Sequence, residues 1–208
     1  MEFELEQLRA LAEGCIQCRL CETRTKVVFG MGSPDAKVMF VGEAPGKNED
    51  LQGEPFVGAA GRLLDRLLTE VGLTRDEVYI ANVLKCRPPG NRDPRPDEID
   101  SCKGYLRRQI ELIEPRVVMT LGNFATKLLM RTDTGITRLR GQRYEWWRDI
   151  ILVPTFHPAA ALRGGEKVTE AMRHDFSLMR EAIDIPKEPV SHPNGDPETD
   201  SQQLDLFS

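Results

Sequence analysis

"KVMFVGEAPGKNEDLQGEPFVGAAGRLLDRLLTEVG", residues 37–72, runs from an apolar stretch through a glycine-rich turn into an amphipathic segment. Residues 37–42 have the length and composition of a strand buried on both faces. Leu63, Leu64, Leu67, Leu68 and Val71 recur at helical spacing, and Gly72 stands where the helix should stop. Strand, loop and helix in this order open a βαβ unit. The loop is unusual. It lacks the Gly-Lys-Ser/Thr ending of a P-loop and the GxGxxG spacing of a dinucleotide site, and it carries Glu43, Glu49, Asp50 and Glu54 instead of basic residues.

The alternation continues on both sides. Residues 3–13 predict a short helix, followed by a cysteine-bearing turn at 15–21. "EVYIANVLKC" (77–86) predicts a second strand with Asn82 in its middle, where Asn is disfavoured. After the loop "RPPGNRDPRP" comes a helix with Ile99, Cys102, Leu106, Ile110 and Ile113 on an inward stripe. "RVVMTLG" predicts a third strand, "NFATKLLM" a helix, and "DIILVPTF" a strand that leads into the loop "HPAAALRGG". A helix over 166–183 closes the body, with Val168, Met172, Phe176, Met179 and Ile183 inward. Strands alternating with helices predict an α/β fold: a three-layer α/β/α sandwich around a mostly parallel four-stranded sheet. In such sheets ligands bind beyond the carboxyl ends of the strands. "GEAPG", "NVLKC" and "HPAAALRGG" all fall there.

With 208 residues, 40% of them hydrophobic and 29% charged, the chain suits one soluble domain over 1–184 and a tail over 185–208. The acidic, amphipathic start is not a signal peptide, and no run is long enough to span a bilayer, which places the protein in the cytosol. The formal charge of −5 is concentrated at the end: from Pro186 onward there are five acids and one base. Bases gather in the body, as Lys85, Arg87, Arg92 and Arg95 and again as Lys103, Arg107 and Arg108. A polyanion partner is therefore neither excluded nor required.

Five cysteines in a cytosolic chain do not predict disulfides. Cys15 and Cys18 form a C-x2-C pair, Cys86 ends a strand, and Cys102 lies on a helix. Such turns can enclose a zinc ion or an iron-sulfur cluster, and Cys102 alone would equally serve as a core residue. Cys21 reads as a free thiol beside the site.

"GEAPG", "GEPFVGAAG", "NVLKCRPPGNR" and "HPAAALRG", in this order and with these cysteines, resemble the family 4 uracil-DNA glycosylases, over roughly residues 1–182. The resemblance implies a [4Fe-4S] cluster on Cys15, Cys18, Cys86 and Cys102, and a monofunctional glycosylase acting on uracil-containing DNA. It implies a pocket floor at Gly42 and Ala44, with Phe56 as a flat wall for the extracted base. The Asn82 carboxamide can donate to uracil O4 and accept from N3–H, a pattern that cytosine reverses. His157 becomes the donor to O2 as uracil leaves. Glu43, by its position, is the expected carboxylate beside the developing sugar cation; the best-known branch has Asp at the next position, and this chain departs from it there with Ala44. Glu49 resembles the residue that crowds out a thymine methyl, and Leu162 with Arg163 the wedge that fills the vacated stack. A non-catalytic iron-sulfur or zinc DNA-binding module is the alternative, separable by base release.

The tail "PKEPVSHPNGDPETDSQ" has the composition of a disordered linker. It ends in "QLDLF", which resembles the pentapeptide by which bacterial replication and repair proteins dock to the sliding clamp. Gln203 offers an amide, and Leu204, Leu206 and Phe207 an apolar cluster. A monomeric, nucleoid-associated bacterial enzyme is the expectation.

Overall fold

The computed structural model describes residues 2–185, and the tail residues Gln203, Leu204, Leu206 and Phe207 lie outside them. The elements follow one another as α1 (Glu2–Glu13), β1 (Met31–Gly32), β2 (Val38–Gly42), α2 (Lys47–Gln52), α3 (Ala59–Glu70) and β3 (Tyr79–Asn82). Then come α4 (Pro96–Ile113), β4 (Val117–Leu121), α5 (Asn123–Met130), α6 (Ile136–Leu139), β5 (Tyr144–Glu145), β6 (Ile151–Thr155), α7 (Pro158–Gly164) and α8 (Glu166–Ile183). Among the described residues no helix is long and apolar enough to cross a membrane.

The strands form one sheet in the order β1-β3-β2-β4-β6-β5. The four central strands are parallel, as expected. Two-residue antiparallel strands extend both edges, so the sheet has six strands rather than four. They are too short to show any periodicity, and very short edge strands limit further pairing.

Alternate residues of each central strand enter different cores. Met39, Val41, Ala81, Val118 and Leu152 pack with Leu5, Leu106, Ile110 and Leu129 from α1, α4 and α5. Val38, Phe40, Ile80, Met119 and Val153 pack with Leu64, Leu67, Met172, Phe176 and Met179 from α3 and α8. The Phe40 and Phe176 rings stack at 5.7 Å. This is the α/β/α sandwich, and the parallel register decides where its chemistry lies. Gly42 is opposite Asn82, and Leu121 opposite Thr155, so the carboxyl ends form one level edge.

Three local readings change. Asn82 is the last residue of β3, not its middle. Beyond it Val83 and Leu84 donate to the carbonyls of Gly42 and Glu43, and the chain bends toward the cysteines. The acidic loop contains a helical turn, α2, ended by Gly53 at φ 83°. "HPAAALRG" is not a loop: α7 starts on Pro158, whose fixed φ suits the first helical position, and the His157 side chain caps it.

Candidate active site

The carboxyl edge opens into a cleft of about 1190 Å³ lined by Glu43, Ala44, Glu49, Phe56, Asn82, His157 and Arg163, among others. Residues spread over more than a hundred positions are thus gathered on one side of the sheet. Leu162 does not line the cleft; it lies on α7 with half its surface exposed.

The glycines of the acidic loop serve the protein's own packing. A Cβ on Gly42 would overlap Asn82 Oδ1 and come within 2.9 Å of the Phe56 ring, so only glycine lets these two side chains meet over β2. A Cβ on Gly61 would overlap the Phe56 carbonyl. Phe56 itself is held at φ 54°, a conformation that costs a non-glycine residue about 1–3 kcal/mol. Arg75 holds it there: its guanidinium donates to the carbonyls of Pro55 and Phe56 and pairs with Asp65 at 2.8 Å. Nothing in the sequence around Arg75 announces this role, nineteen positions from Phe56.

Glu49 is braced rather than free. Its Oε1 accepts from the backbone N–H of Val57 at 3.0 Å and of Gly58 at 3.3 Å, joining α2 to the loop that carries Phe56. Glu43 is half-buried at the cleft wall; burial, and then the charge of Asp93, push its carboxyl above the usual range.

His157 lies over Phe56 with ring centroids 5.6 Å apart. Its Nδ1 accepts the Ala159 N–H at 3.1 Å, so the neutral ring carries its proton on Nε2. Burial, reinforced by Arg163 and partly offset by Glu49, lowers its pKa to about 4. The ring is therefore a neutral Nε2–H donor at physiological pH. Gly122, at φ 96°, lets the β4 turn approach His157. Behind it, fully buried Asp175 accepts from Thr155 Oγ1 at 2.7 Å and from Arg140 through both carboxylate oxygens. Arg140 also lies over the Phe156 ring, 5.4 Å from its centroid. The end of β6 is thus locked to α8 two residues before His157.

Asn82 is 2% exposed, and its carbonyl accepts from buried Lys85 Nζ at 2.8 Å. Lys85 also donates to Gln109 Oε1, and Gln109 Nε2 to the Phe29 carbonyl and Tyr79 hydroxyl. Burial lowers the Lys85 ammonium to about 8, against the opposing charges of Cys102 and Cys86.

Cys15, Cys18, Cys86 and Cys102 line one small cavity with Ala12 and Leu20. Cys21, half-buried, does not line it. The Lys85 backbone N–H points at Cys102 Sγ (3.2 Å), and Arg24 Nη1 at Cys86 Sγ (3.4 Å) and the Cys15 carbonyl. Burial raises the Cys102 thiol to about 12, and also raises Cys18 and Cys86. Among the described residues no three His, Cys, Asp or Glu side chains form a group that could hold a metal ion.

A family model of the uracil DNA glycosylase superfamily matches residues 29–180. The chain is 47% identical over 191 residues to the type-4 uracil-DNA glycosylase of Sulfurisphaera tokodaii, covering 88% of this chain and 86% of that relative. It is 46% identical to the type-4 enzyme of Archaeoglobus fulgidus (85% and 94% covered) and 48% identical to that of Thermotoga maritima (72% and 78%). The chain belongs to the uracil-DNA glycosylase superfamily, in its type-4 branch.

Proposed function

We propose that the chain excises uracil from DNA by hydrolysing its N-glycosidic bond, a reaction that initiates base excision repair. One observation carries the reading: in a member of this superfamily, Phe56, Asn82 and His157 meet in a single cleft beyond the strand ends. Extruding a base from the stack costs a few kcal/mol, which a close-fitting pocket must offset. Phe56, pinned by Arg75 and the room at Gly61, gives that pocket a rigid face. The Asn82 amide supplies the pattern complementary to uracil O4 and N3–H. Ala44 gives the floor, while Gly42, which does not itself line the cleft, lets Asn82 and Phe56 meet beneath the base, and Glu49 closes the side facing uracil C5.

As the bond breaks, negative charge grows on uracil and positive charge on deoxyribose. His157 Nε2–H stabilises the first, and a neutral ring suffices because a fixed dipole in a dry site costs no reorganisation. Glu43 stabilises the second and orients the attacking water. Arg163 approaches the DNA at the mouth, and Leu162 enters the duplex as the wedge. A labelled oligonucleotide with one uracil, incubated with the protein and then with alkali, is expected to break at that position. An intact strand would refute the assignment.

The Glu43 role sets a pH dependence. Its carboxyl holds a proton to higher pH than usual. Only the carboxylate helps a cation, so the excision rate should fall as pH drops through that raised pKa. His157 is neutral above about pH 4. Glu43→Gln should be slower and lose the one-proton limb; an unchanged limb would move the role to another group.

We further propose a [4Fe-4S] cluster on Cys15, Cys18, Cys86 and Cys102, with Cys21 outside. The all-sulfur donor set, with all four thiols lining one small cavity, suits iron-sulfur or zinc, and the family resemblance favours the cluster. N–H donors aimed at two of the sulfurs suit anionic ligands. Bound there, such a cluster would tie the N-terminal segment to α4 and would serve the fold rather than the hydrolysis. Cys102→Ala should give colourless, iron-poor protein with a lower melting temperature. Full iron with unchanged melting would remove Cys102 from the ligand set.

The enzyme is proposed to act as a monomer in a bacterial cytoplasm, tethered to the sliding clamp through Gln203, Leu204, Leu206 and Phe207. Leu206 and Phe207 suit an apolar pocket, and Gln203 a hydrogen bond at its rim. Deleting Gln203–Ser208 should abolish binding to an immobilised bacterial clamp and spare excision from a free oligonucleotide. Equal binding by both proteins, or by neither, would end the tether reading.

A further inference from the structure

The cleft is larger than its base pocket. Whole drug-sized ligands occupy pockets of roughly 300–1,000 Å³, so one pyrimidine leaves much of the 1190 Å³ unfilled. The remainder is lined by α4 and α5. On α5, Phe124, Lys127 and Leu128 share one helix face, while Ala125, Thr126 and Leu129 are buried on the other, and Arg131, the left-handed C-cap of the helix (φ 50°), also lines the cleft. On α4, Ile99 and Lys103 stand one turn apart on the cleft side. Ile99, Phe124 and Leu128 are only half-buried, and Lys103, Lys127 and Arg131 line the same cleft. Lys103 makes a weak pair with exposed Asp100, which a phosphate can displace. Exposed Asp93 and Asp133 line the same cleft, so the positive strip is local to α4 and α5.

An apolar floor with a cationic rim fits an unstacked nucleobase and its phosphate. It is continuous with the base pocket, because Phe124 follows by two residues the Gly122 turn that abuts His157. We infer that this strip is a second nucleotide subsite: it receives the residue next to the extruded uracil on the same strand, with its base against Phe124 and its phosphates along Lys103, Lys127 and Arg131. The inference rests on the glycosylase reading. It makes the enzyme select uracils whose neighbour can leave the stack, as in single-stranded or frayed DNA. A larger purine neighbour should be favoured.

The test uses the intact, cluster-loaded protein and single-stranded oligonucleotides with one uracil. The nucleotide on its 5′ or its 3′ side carries adenine or has its base replaced by hydrogen. For the parent protein, removing the neighbouring base on one side should lower kcat/KM about 5- to 150-fold, the range for loss of one base–aromatic stack. Phe124→Leu, which keeps apolar volume against the core, should respond less than 2-fold to the same removal, within the scatter of order 0.3–0.5 kcal/mol expected of independent changes. Lys127→Gln should flatten the dependence of log K on log salt by about 0.7, the slope of one phosphate on a single strand. A parent indifferent to both neighbours, a Phe124→Leu variant as sensitive as the parent, or an unchanged salt slope would overturn the subsite while excision persists. Absence of excision from every substrate would overturn the glycosylase reading, and the subsite with it.

Discussion

His157→Ala is expected to slow single-turnover excision by roughly 10²–10³-fold, with DNA binding retained. The size follows from removing one donor aimed at a developing oxyanion, about 2.7–4 kcal/mol of transition-state stabilisation. Ground-state binding should change little, because a donor to O2 acts mainly when charge has built there. The Ala159 N–H occupies Nδ1, which leaves Nε2–H as the working donor. Rapid mixing under enzyme excess, with binding followed on an uncleavable analogue, separates the two effects. An unchanged chemical rate would take His157 out of the mechanism, whatever its burial.

Asp175→Ala should cost about 3–5 kcal/mol, because removing one partner of a buried ion pair strands the other. Asp175 is fully buried, Arg140 has only 19% of its side chain exposed, and Thr155 also loses its acceptor. In a domain of this size each kcal/mol moves the melting temperature by about 2–4 °C, so a fall of about 10 °C is expected. Asp175→Asn, which can still accept from Thr155, should lie between. Thermal unfolding of the three proteins checks this; melting of Asp175→Ala within about 2 °C of the parent, less than even 1 kcal/mol requires, would show that the lock carries little energy.

The sandwich was legible because its four central strands and long helices carry strong periodicity. Met172, Phe176 and Met179 in α8 and Leu64, Leu67 and Leu68 in α3 are buried as their spacing requires. The pocket residues were legible through local motifs, and three of them, Phe56, Asn82 and His157, do converge. What supports them was not. Arg75 reaches the Phe56 carbonyl across nineteen positions, Arg140 reaches Asp175 across thirty-five, and Gln109 reaches Tyr79 across thirty. Such contacts are made by tertiary approach and leave no period in the chain. The helical turns α2 and α7 were hidden for another reason. Glycine and proline at their ends read as loop signals, although Gly53 stops one helix and Pro158 starts the other.

The Asn82 and Glu49 assignments make the base itself the discriminating observable. The protein should be incubated with matched oligonucleotides carrying a single uracil, thymine or cytosine, and the released base identified chromatographically. Free uracil should appear in step with the alkali-sensitive strand break, and neither thymine nor cytosine at a comparable rate. No released base, or release of thymine or cytosine as fast as uracil, would contradict the pocket described here.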